Sequence, residues 1–219
     1  MAILDPPHLE TVSAAMHSIL RHIGAQAFAS RFYLAGGTAL ALQFGHRTSV
    51  DLDFFSEKDE LHDESRAEIS QAILAMNPRV IADYVGTLHF SIQGISTGFF
   101  GYGYPLIAPT TEFEGVLLAS PTDIGMMKLD ALISRASRKD FYDLYFIAQQ
   151  IPLGSLLALG KTKYPFARDF ELAAIESLTF FENADKDFHR QLLIPVEWDA
   201  VKDFFVEQAK SLRREWFGF

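Results

Sequence analysis

The spacing of apolar residues divides the chain into a mixed half and a helical half. Between residues 8 and 30 apolar side chains recur every three or four positions, which predicts one amphipathic helix ending near Gly24. Short or alternating apolar runs then predict strands. The predicted strands are 31–35, 50–55, 79–85, 87–93, 98–106 and 113–119, and the predicted helices between them are 38–44 and 63–76. Glycines and aromatic residues are frequent in 98–106, so we expect an edge hairpin or a loop there.

The helical half begins at Ser120, where three helix-start signals coincide. A serine cap, Pro121 at the first helical position and Asp123 three residues after the cap are typical of a helix N-terminus. Further helices are predicted at 139–150, 153–159, 166–181 and 198–216. We therefore predict an α+β fold. Its core, residues 1–119, would hold a mixed sheet flanked by helices, and residues 120–219 would form a helical region.

Composition narrows the classes of function. The 219 residues are 49% apolar and can bury a sizeable core, while the net charge of −9 gives no general basic surface for nucleic acid. The absence of cysteine excludes disulfides, thiolate zinc sites and cysteine nucleophiles. The first ten residues have neither a basic start nor an apolar segment, and no apolar run approaches the roughly 20 residues that span a bilayer. We expect a cytoplasmic protein without membrane contact.

The candidate chemistry lies between Tyr33 and Phe55, in YLAGGTALALQFGHRTSVDLDFF. Asp51 and Asp53 are two apart on a predicted strand, so their carboxylates point to the same side. The apolar residues between and beside them would face the core. Two like charges held this close are unfavourable unless a cation lies between them. The pattern therefore favours a metal site, and the alternative is a solvated edge strand with two exposed acids.

A glycine pair precedes this strand at the start of the predicted helix 38–44. Gly36 and Gly37 would let backbone N–H groups approach a ligand, and a helix N-terminus favours an anion such as phosphate. Thr38 adds a hydroxyl donor. The alternative is a tight turn that needs glycine and binds nothing. Mg²⁺ is usually held by one or two carboxylates and substrate phosphates, and two such ions could activate an attacking oxygen and stabilise leaving pyrophosphate.

A phosphate turn, a helix and a metal strand in this order resemble the nucleotidyltransferase fold of the DNA polymerase β type. Two stretches, LAGGTALALQFGHRTSVDLDFF and the later KLDALISRASRKDFYDLYFI, resemble the AbiEii/AbiGii nucleotidyltransferase toxin family up to about residue 150. The resemblance implies an enzyme that transfers a nucleotide from an NTP, in some members onto tRNA 3′ ends. It also implies a toxin encoded beside an antitoxin, which we expect to be a helix-turn-helix protein.

The resemblance assigns roles to individual positions. It implies a phosphate-binding turn, a metal pair and, further along, a lysine, an arginine and two acids of the active site; these are Gly36, Gly37, Thr38, Asp51, Asp53, Lys128, Arg135, Asp140 and Asp143. Arg47 and Ser49, before the metal strand, are candidates for triphosphate contact. His46 is a weaker candidate, and the alternative for these loop residues is that they only cap the loop.

The residues of the later stretch also suit phosphate chemistry on physical grounds. Lys128 and Arg135 are seven apart and share one helix face, while Asp140 and Asp143 are three apart and share a face of the next helix. A lysine is a compact charge for β- and γ-phosphates, and an arginine can bind a phosphate through two hydrogen bonds. The alternative is that the acids form ordinary surface ion pairs with the basic residues beside them.

Three questions stay open from the sequence. The strand 87–93 lacks the third metal carboxylate that polymerase β-type enzymes usually have, and Asp140 or Asp143 would either fill that role or position Lys128. An RNA acceptor would dock on basic residues of the helical half, namely Lys161, Lys163, Arg168, Arg213 and Arg214. The aromatic run Phe99, Phe100, Tyr102 and Tyr104 would either stack a base or pack the sheet. Alternatives for the whole protein are a non-catalytic NTP- or RNA-binding module and an aminoglycoside-type adenylyltransferase.

Overall fold

A computed structural model describes residues 2–187 and 191–218 of the chain. The chain divides into two compact units, Met1–Ser120 and Pro121–Phe219. The first unit combines helices with a mixed sheet and the second is helical, which confirms the predicted α+β class. No helix in the described residues is long and apolar enough to cross a membrane.

The first unit is built on one sheet of eight described strands. In chain order these are β1 (Ala2–Ile3), β2 (Tyr33–Leu34), β3 (Asp51–Ser56), β4 (Arg79–Tyr84), β5 (Thr87–Ile92), β6 (Ile95–Gly101), β7 (Thr111–Phe113) and β8 (Val116–Leu118). Their spatial order is β1-β7-β8-β2-β3-β6-β5-β4. The strand β3 lies inside the sheet, antiparallel to β2 and parallel to β6. The aspartate pair is therefore on an interior strand.

Side-chain alternation gives the sheet a core face and an opposite face. On the core face Leu52 and Phe54 of β3 are buried, with Phe54 beside Leu34 and Phe99 in the register. Three helices complete this unit: α1 (Ala14–Gly24), α2 (Gly36–Phe44) and α3 (Asp63–Ile73). Since successive residues of a strand point to opposite sides, Asp51, Asp53 and Phe55 share the opposite face.

Three predictions about the first unit are wrong in detail. The single helix expected at 8–30 is α1 between two short 3-10 turns, because Ser13 takes an extended backbone and its hydroxyl caps α1 at the Met16 N–H. The strand expected at 113–119 is the β7–β8 hairpin. Glu114 and Gly115 both have positive φ in its two-residue turn, which matches the twist of the paired strands.

The edge hairpin expected at 98–106 is also wrong. The strand β6 begins at Ile95 and pairs on both sides, with β3 and with β5, so it is interior. Its glycines, Gly98 and Gly101, allow neighbouring atoms to pack closely against the strand and do not mark a sheet edge. Val50, beside the aspartate pair and expected to face the core, is 42% exposed because it lies just before the start of β3.

The second unit consists of helices around an aromatic core. They are α4 (Pro121–Ser134), α5 (Arg138–Ala148), α6 (Leu153–Leu157), α7 (Gly160–Lys163), α8 (Phe170–Ser177), α9 (Glu182–Lys186) and α10 (Trp198–Phe217). Phe141 of α5 contacts the rings of Phe181, Trp198 and Phe205, at centroid distances of 5.1, 5.7 and 5.4 Å. These contacts join α5 to α10. The helix expected at 166–181 is shorter, because α8 begins only at Phe170.

Candidate active site

The aspartate pair lies on the face of the sheet opposite the core. Asp51 and Asp53 are half-buried, whereas Leu52 between them is fully buried on the other side. The register places Ser96 beside Asp51 and Gly98 beside Asp53 on β6. The alternative of a solvated edge strand is therefore wrong, since β3 has neighbours on both sides.

The N-terminus of α2 lies next to one carboxylate of the pair. The helix begins at Gly36, whose positive φ of +65° favours glycine. The N-cap residue is Ala35, and within the described residues the helix has no side-chain cap hydrogen bond. The Ala35 N–H donates to the Asp53 carbonyl over 3.0 Å. A Cβ on Gly36 would lie 3.8 Å from Asp53 Oδ2. Because the first N–H groups of a helix lack intrahelical partners, this turn offers donors for an anion beside Asp53.

Arg47 places a positive charge against the same turn. A Cβ on Gly37 would lie 2.0 Å from Arg47 Nη2, so only glycine leaves room for the guanidinium. Arg47 is buried, and its Nη1 donates to the Thr48 carbonyl over 3.0 Å. The guanidinium adds to the positive end of the helix dipole. His46 is buried beside Phe44 and is less suited to touch a triphosphate.

Thr38 and Ser49 connect the turn to β3. Thr38 is buried, its Oγ1 lies 2.7 Å from Ser49 Oγ, and its hydroxyl donates to the backbone carbonyl of Asp51. These bonds hold the first turn of α2 against the start of β3. The geometry favours a positioning role for Thr38, and its direct contact with phosphate stays a prediction.

The structure brings the four predicted residues of the second unit together. Lys128 Nζ lies 2.9 Å from Asp140 Oδ1 and 2.6 Å from Asp143 Oδ2, and all three side chains are buried. Arg135, at 57% exposure, forms two hydrogen bonds of 2.9 and 3.0 Å with the Asp140 carboxylate. The Ser137 hydroxyl donates to the same carboxylate over 2.6 Å. Ordinary surface pairing is therefore wrong for both acids.

Asp140 remains ionised in this cluster despite its burial. Burial alone would raise the pKa of the Asp140 carboxyl, but the Lys128 charge and the Arg135 hydrogen bonds and charge outweigh it. With the Ser137 hydrogen bond they hold the pKa well below its usual range. Asp140 and Asp143 thus fix the position of Lys128, as one of the two sequence interpretations proposed.

The lowered Asp140 pKa leads to a pH-dependent stability. A carboxyl with a lower pKa in the folded than in the unfolded state stabilises the fold above about pH 4 and loses this contribution as pH falls. Asp140→Asn is expected to melt at a lower temperature at neutral pH and to lose less stability between about pH 5 and pH 2. Melting temperatures across this range measure it, with the exposed Asp199→Asn as control. If Asp140→Asn lost as much stability as wild type on acidification, the pH dependence could not be assigned to Asp140.

A third carboxylate does not accompany the aspartate pair in the described residues. On β5, the next strand beyond β6, His89 pairs with Gly98 and Ser91 pairs with Ser96. Neither position carries a carboxylate. Two acids near other strands of the sheet lie in ion pairs, Glu114 with His17 and Asp83 with Arg66. Within residues 2–187 and 191–218 no three His, Cys, Asp or Glu side chains form a group that could hold a metal.

The sequence did not reveal a second buried ion pair in the helical unit. Lys163 Nζ lies 2.9 Å from Asp123 Oδ1, and both side chains are fully buried. The prediction that Lys163 belongs to an RNA-docking surface is wrong for this reason. Its neighbour Lys161, by contrast, is exposed. Forty positions separate the two partners, so no local pattern could join them.

Comparison with known proteins decides the family. The model of the family described as "Nucleotidyl transferase AbiEii toxin, Type IV TA system" matches residues 18–217. The chain belongs to this family. The match continues well past residue 150, where the sequence resemblance was expected to end, and it confirms the predicted family and enzyme class.

One relative in sequence and two solved structures are similar to this AbiEii family member. An uncharacterized protein of Aquifex aeolicus is 37% identical over 186 residues, which cover 82% of this chain and 87% of that protein. MenT4, a nucleotidyltransferase toxin from Mycobacterium tuberculosis, has a similar fold: TM-score 0.56, 17% identity, 91% of this chain and 85% of MenT4. JHP933 from Helicobacter pylori matches with TM-score 0.55 and 17% identity, over 95% of this chain and 92% of JHP933. These structures confirm the nucleotidyltransferase fold.

Proposed function

We propose that this nucleotidyltransferase uses Mg²⁺ to move a nucleotide from an NTP to an RNA acceptor, with tRNA as the expected substrate. The observation that carries the proposal is the aspartate pair beside the N-terminus of α2, on one face of the sheet. This arrangement offers carboxylate oxygens and anion-binding N–H groups side by side. We also propose that the protein acts in the cytoplasm.

The residues fit Mg²⁺. Asp51 and Asp53 supply hard oxygen ligands on one face, and Mg²⁺ commonly keeps waters and substrate phosphates in its remaining positions. A third protein carboxylate is therefore not needed to hold one ion. When bound, one or two Mg²⁺ ions would supply positive charge to the attacking oxygen and the leaving pyrophosphate.

Backbone and side-chain groups of this chain would bind and orient the triphosphate. The N–H groups at Gly36 and Gly37 would bind its oxygens, and Arg47 would strengthen this site through its charge. Ser49 and Thr38 would hold the turn in place. An acceptor hydroxyl would form a bond to the α-phosphorus as the bond to the β-phosphate oxygen breaks, releasing pyrophosphate and a proton.

Within the second unit, Arg135 is the exposed cation of a cluster whose two cations and two carboxylates balance in charge. Asp140 and Asp143 orient Lys128, and the exposed side of Arg135 is the part that a phosphate could reach. Without Lys163, the basic residues left for acceptor docking are Lys161, Arg168, Arg213 and Arg214. Membership in a type IV toxin–antitoxin family also supports an antitoxin as partner.

Labelling tests the proposal directly. The protein is incubated with each of the four labelled NTPs, Mg²⁺ and a total tRNA pool, and labelled RNA and pyrophosphate are measured. We expect label on RNA and its loss when a chelator removes Mg²⁺. Pyrophosphate release without labelled RNA would point to a small-molecule acceptor. No release with any NTP and acceptor would overturn the proposed function.

A further inference from the structure

Five aromatic residues continue the face of the sheet that carries the aspartate pair. We call them the aromatic strip: Tyr33, Phe55, Phe100, Tyr102 and Tyr104. Phe55 follows Asp53 by two residues and therefore shares its side of β3. The register pairs Phe55 with Tyr33 of β2 on one side and with Phe100 of β6 on the other.

Ring contacts make the strip continuous, with Phe55 at its centre. The Phe55 ring lies 5.3 Å from the ring of Phe100, 5.3 Å from that of Tyr102 and 6.1 Å from that of Tyr33. Tyr104 adds a further ring 4.9 Å from Tyr102. These centroid distances are typical of interacting aromatic pairs.

The strip begins directly beside the Asp53 carboxylate. Gly98 lies opposite Asp53 in the register, and the Phe100 ring lies over it. A Cβ on Gly98 would be 2.5 Å from two Phe100 ring atoms and 3.6 Å from Asp53 Oδ1. Glycine at this position therefore lets an aromatic edge approach the proposed metal ligand.

Phe55 and Phe100 of the strip differ from the aromatic core in their exposure, whereas Tyr33 is buried. Phe54 and Phe99, on the other face of the same strands, are at most 1% exposed. Phe55 and Phe100, each next in the chain, are half-buried and keep part of their surface accessible. Of the two sequence interpretations for the aromatic run, packing holds for Phe99, while Phe100 leaves part of its ring accessible.

A cavity of about 790 Å³ lies at the end of the strip farther from Asp51. Its lining includes Tyr33 and Leu117 of the strip face, together with Ser56 and Glu57 at the C-terminal end of β3. The volume is within the range of small-molecule sites. Neither Phe55 nor Phe100 lines this cavity, and its lining includes four acidic residues, so the cavity adjoins the strip but is not itself the stacking surface.

We propose that Phe55 and Phe100 stack a nucleobase whose phosphate end lies at Asp51, Asp53 and the α2 turn. Phe55 follows Asp53 by two strand residues, a distance of about 6.5 Å, so a single nucleotide is long enough to contact both the base site and the proposed metal pair. Stacking on aromatic faces tolerates every base. The inference rests on the proposed function. The base belongs to the incoming NTP or to the terminal nucleotide of the acceptor.

The test compares nucleotides with a ligand that has no base. Calorimetry measures the Kd of each NTP and of inorganic tripolyphosphate with Mg²⁺, for wild type, Phe100→Leu and Phe55→Leu. We expect NTP binding to weaken about 10-fold in both variants, because aromatic stacking contributes at this level, while tripolyphosphate binding stays unchanged. Phe100→Trp is expected to keep wild-type NTP affinity.

Phe99→Leu is the matched control for the fold. It changes the adjacent residue of β6 on the core face, so it is expected to lower the melting temperature and leave both Kd values unchanged. If the base comes from the acceptor, Phe100→Leu instead raises the KM for tRNA about 10-fold with an unchanged Kd for NTP.

The outcomes separate this inference from the function on which it rests. Wild-type values for NTP Kd and tRNA KM in both strip variants would overturn the stacking site and leave the nucleotidyltransferase proposal standing. Equal weakening of NTP and tripolyphosphate would also overturn it, because the loss would not involve a base. Failure of wild type to bind any NTP would overturn the proposed function, and the stacking site with it.

Discussion

Replacing both members of the proposed metal pair, in the variant Asp51→Asn with Asp53→Asn, is expected to lower nucleotide transfer at least about 1,000-fold. Metal ions contribute several kcal/mol to the stabilisation of transition-state charge, and each 1.4 kcal/mol corresponds to about tenfold in rate. Asparagine keeps the shape of aspartate, and the bond from the Ala35 N–H to the Asp53 carbonyl involves only backbone. The measurement is the rate of label transfer to RNA at saturating Mg²⁺.

Stability is expected to change in the opposite direction. Without metal, the two carboxylates on one face of β3 repel each other, so the double variant should melt at the same temperature as wild type or higher. Addition of Mg²⁺ with an NTP should raise the melting temperature of wild type but not of the variant, because only a ligand that binds the folded state stabilises it. This pair of results distinguishes loss of a metal site from loss of the fold.

Glu112→Gln is the control for removal of an acid from the same sheet. Glu112 lies on β7, which β8 and β2 separate from β3, so we expect wild-type transfer and wild-type stabilisation by Mg²⁺ with NTP. Transfer by the aspartate double variant within tenfold of wild type would contradict the metal assignment. So would a wild-type thermal response to Mg²⁺ with NTP.

The stretch from β2 to β3 could be predicted because its information is local. Alternation at Leu52 and Phe54 places the carboxylates on the other face, and Gly45, with φ of +67°, ends α2 at the residue expected. These features depend on residues within one turn or one strand. The elements came out within one or two positions of their predicted bounds.

The placement of β6 could not be predicted in this way. It pairs in parallel with β3, and α3, β4 and β5 intervene along the chain, so no local signal gives the register that brings Gly98 beside Asp53. Its glycines and aromatic residues suggested an edge. The structure shows that the glycine makes room for the Phe100 ring in the interior of the sheet.

Burial of the charged groups was equally hidden. Lys128, Asp140 and Asp143 carry the same residue types as an exposed helix surface, and only the packing of α4 on α5 reveals that the three are enclosed. The spacing correctly placed Asp140 and Asp143 on one face of α5, whereas Arg135 lies one residue beyond the end of α4. The spacing could not show that this face meets α4, since that depends on how the helices cross.

The second large effect is expected for Lys163→Met, which should lower the stability of the helical unit by about 3–5 kcal/mol. The substitution keeps the length of the side chain but leaves the Asp123 carboxylate, fully buried, without the cation now 2.9 Å away. A change of this size corresponds to a fall in melting temperature of roughly 10 °C for a chain of about 200 residues. Thermal unfolding followed by circular dichroism measures it.

Two further variants make the cause specific. Lys161→Met removes an exposed charge from the same short helix and is expected to leave the melting temperature unchanged. Asp123→Leu combined with Lys163→Met should recover most of the loss, because replacing both partners of a buried pair by apolar residues is often neutral. If Lys163 instead formed part of the RNA surface, Lys163→Met would weaken RNA binding without lowering the melting temperature, and Lys161→Met would do the same. That result would show that the Lys163 side chain reaches solvent, and the buried ion pair would be wrong.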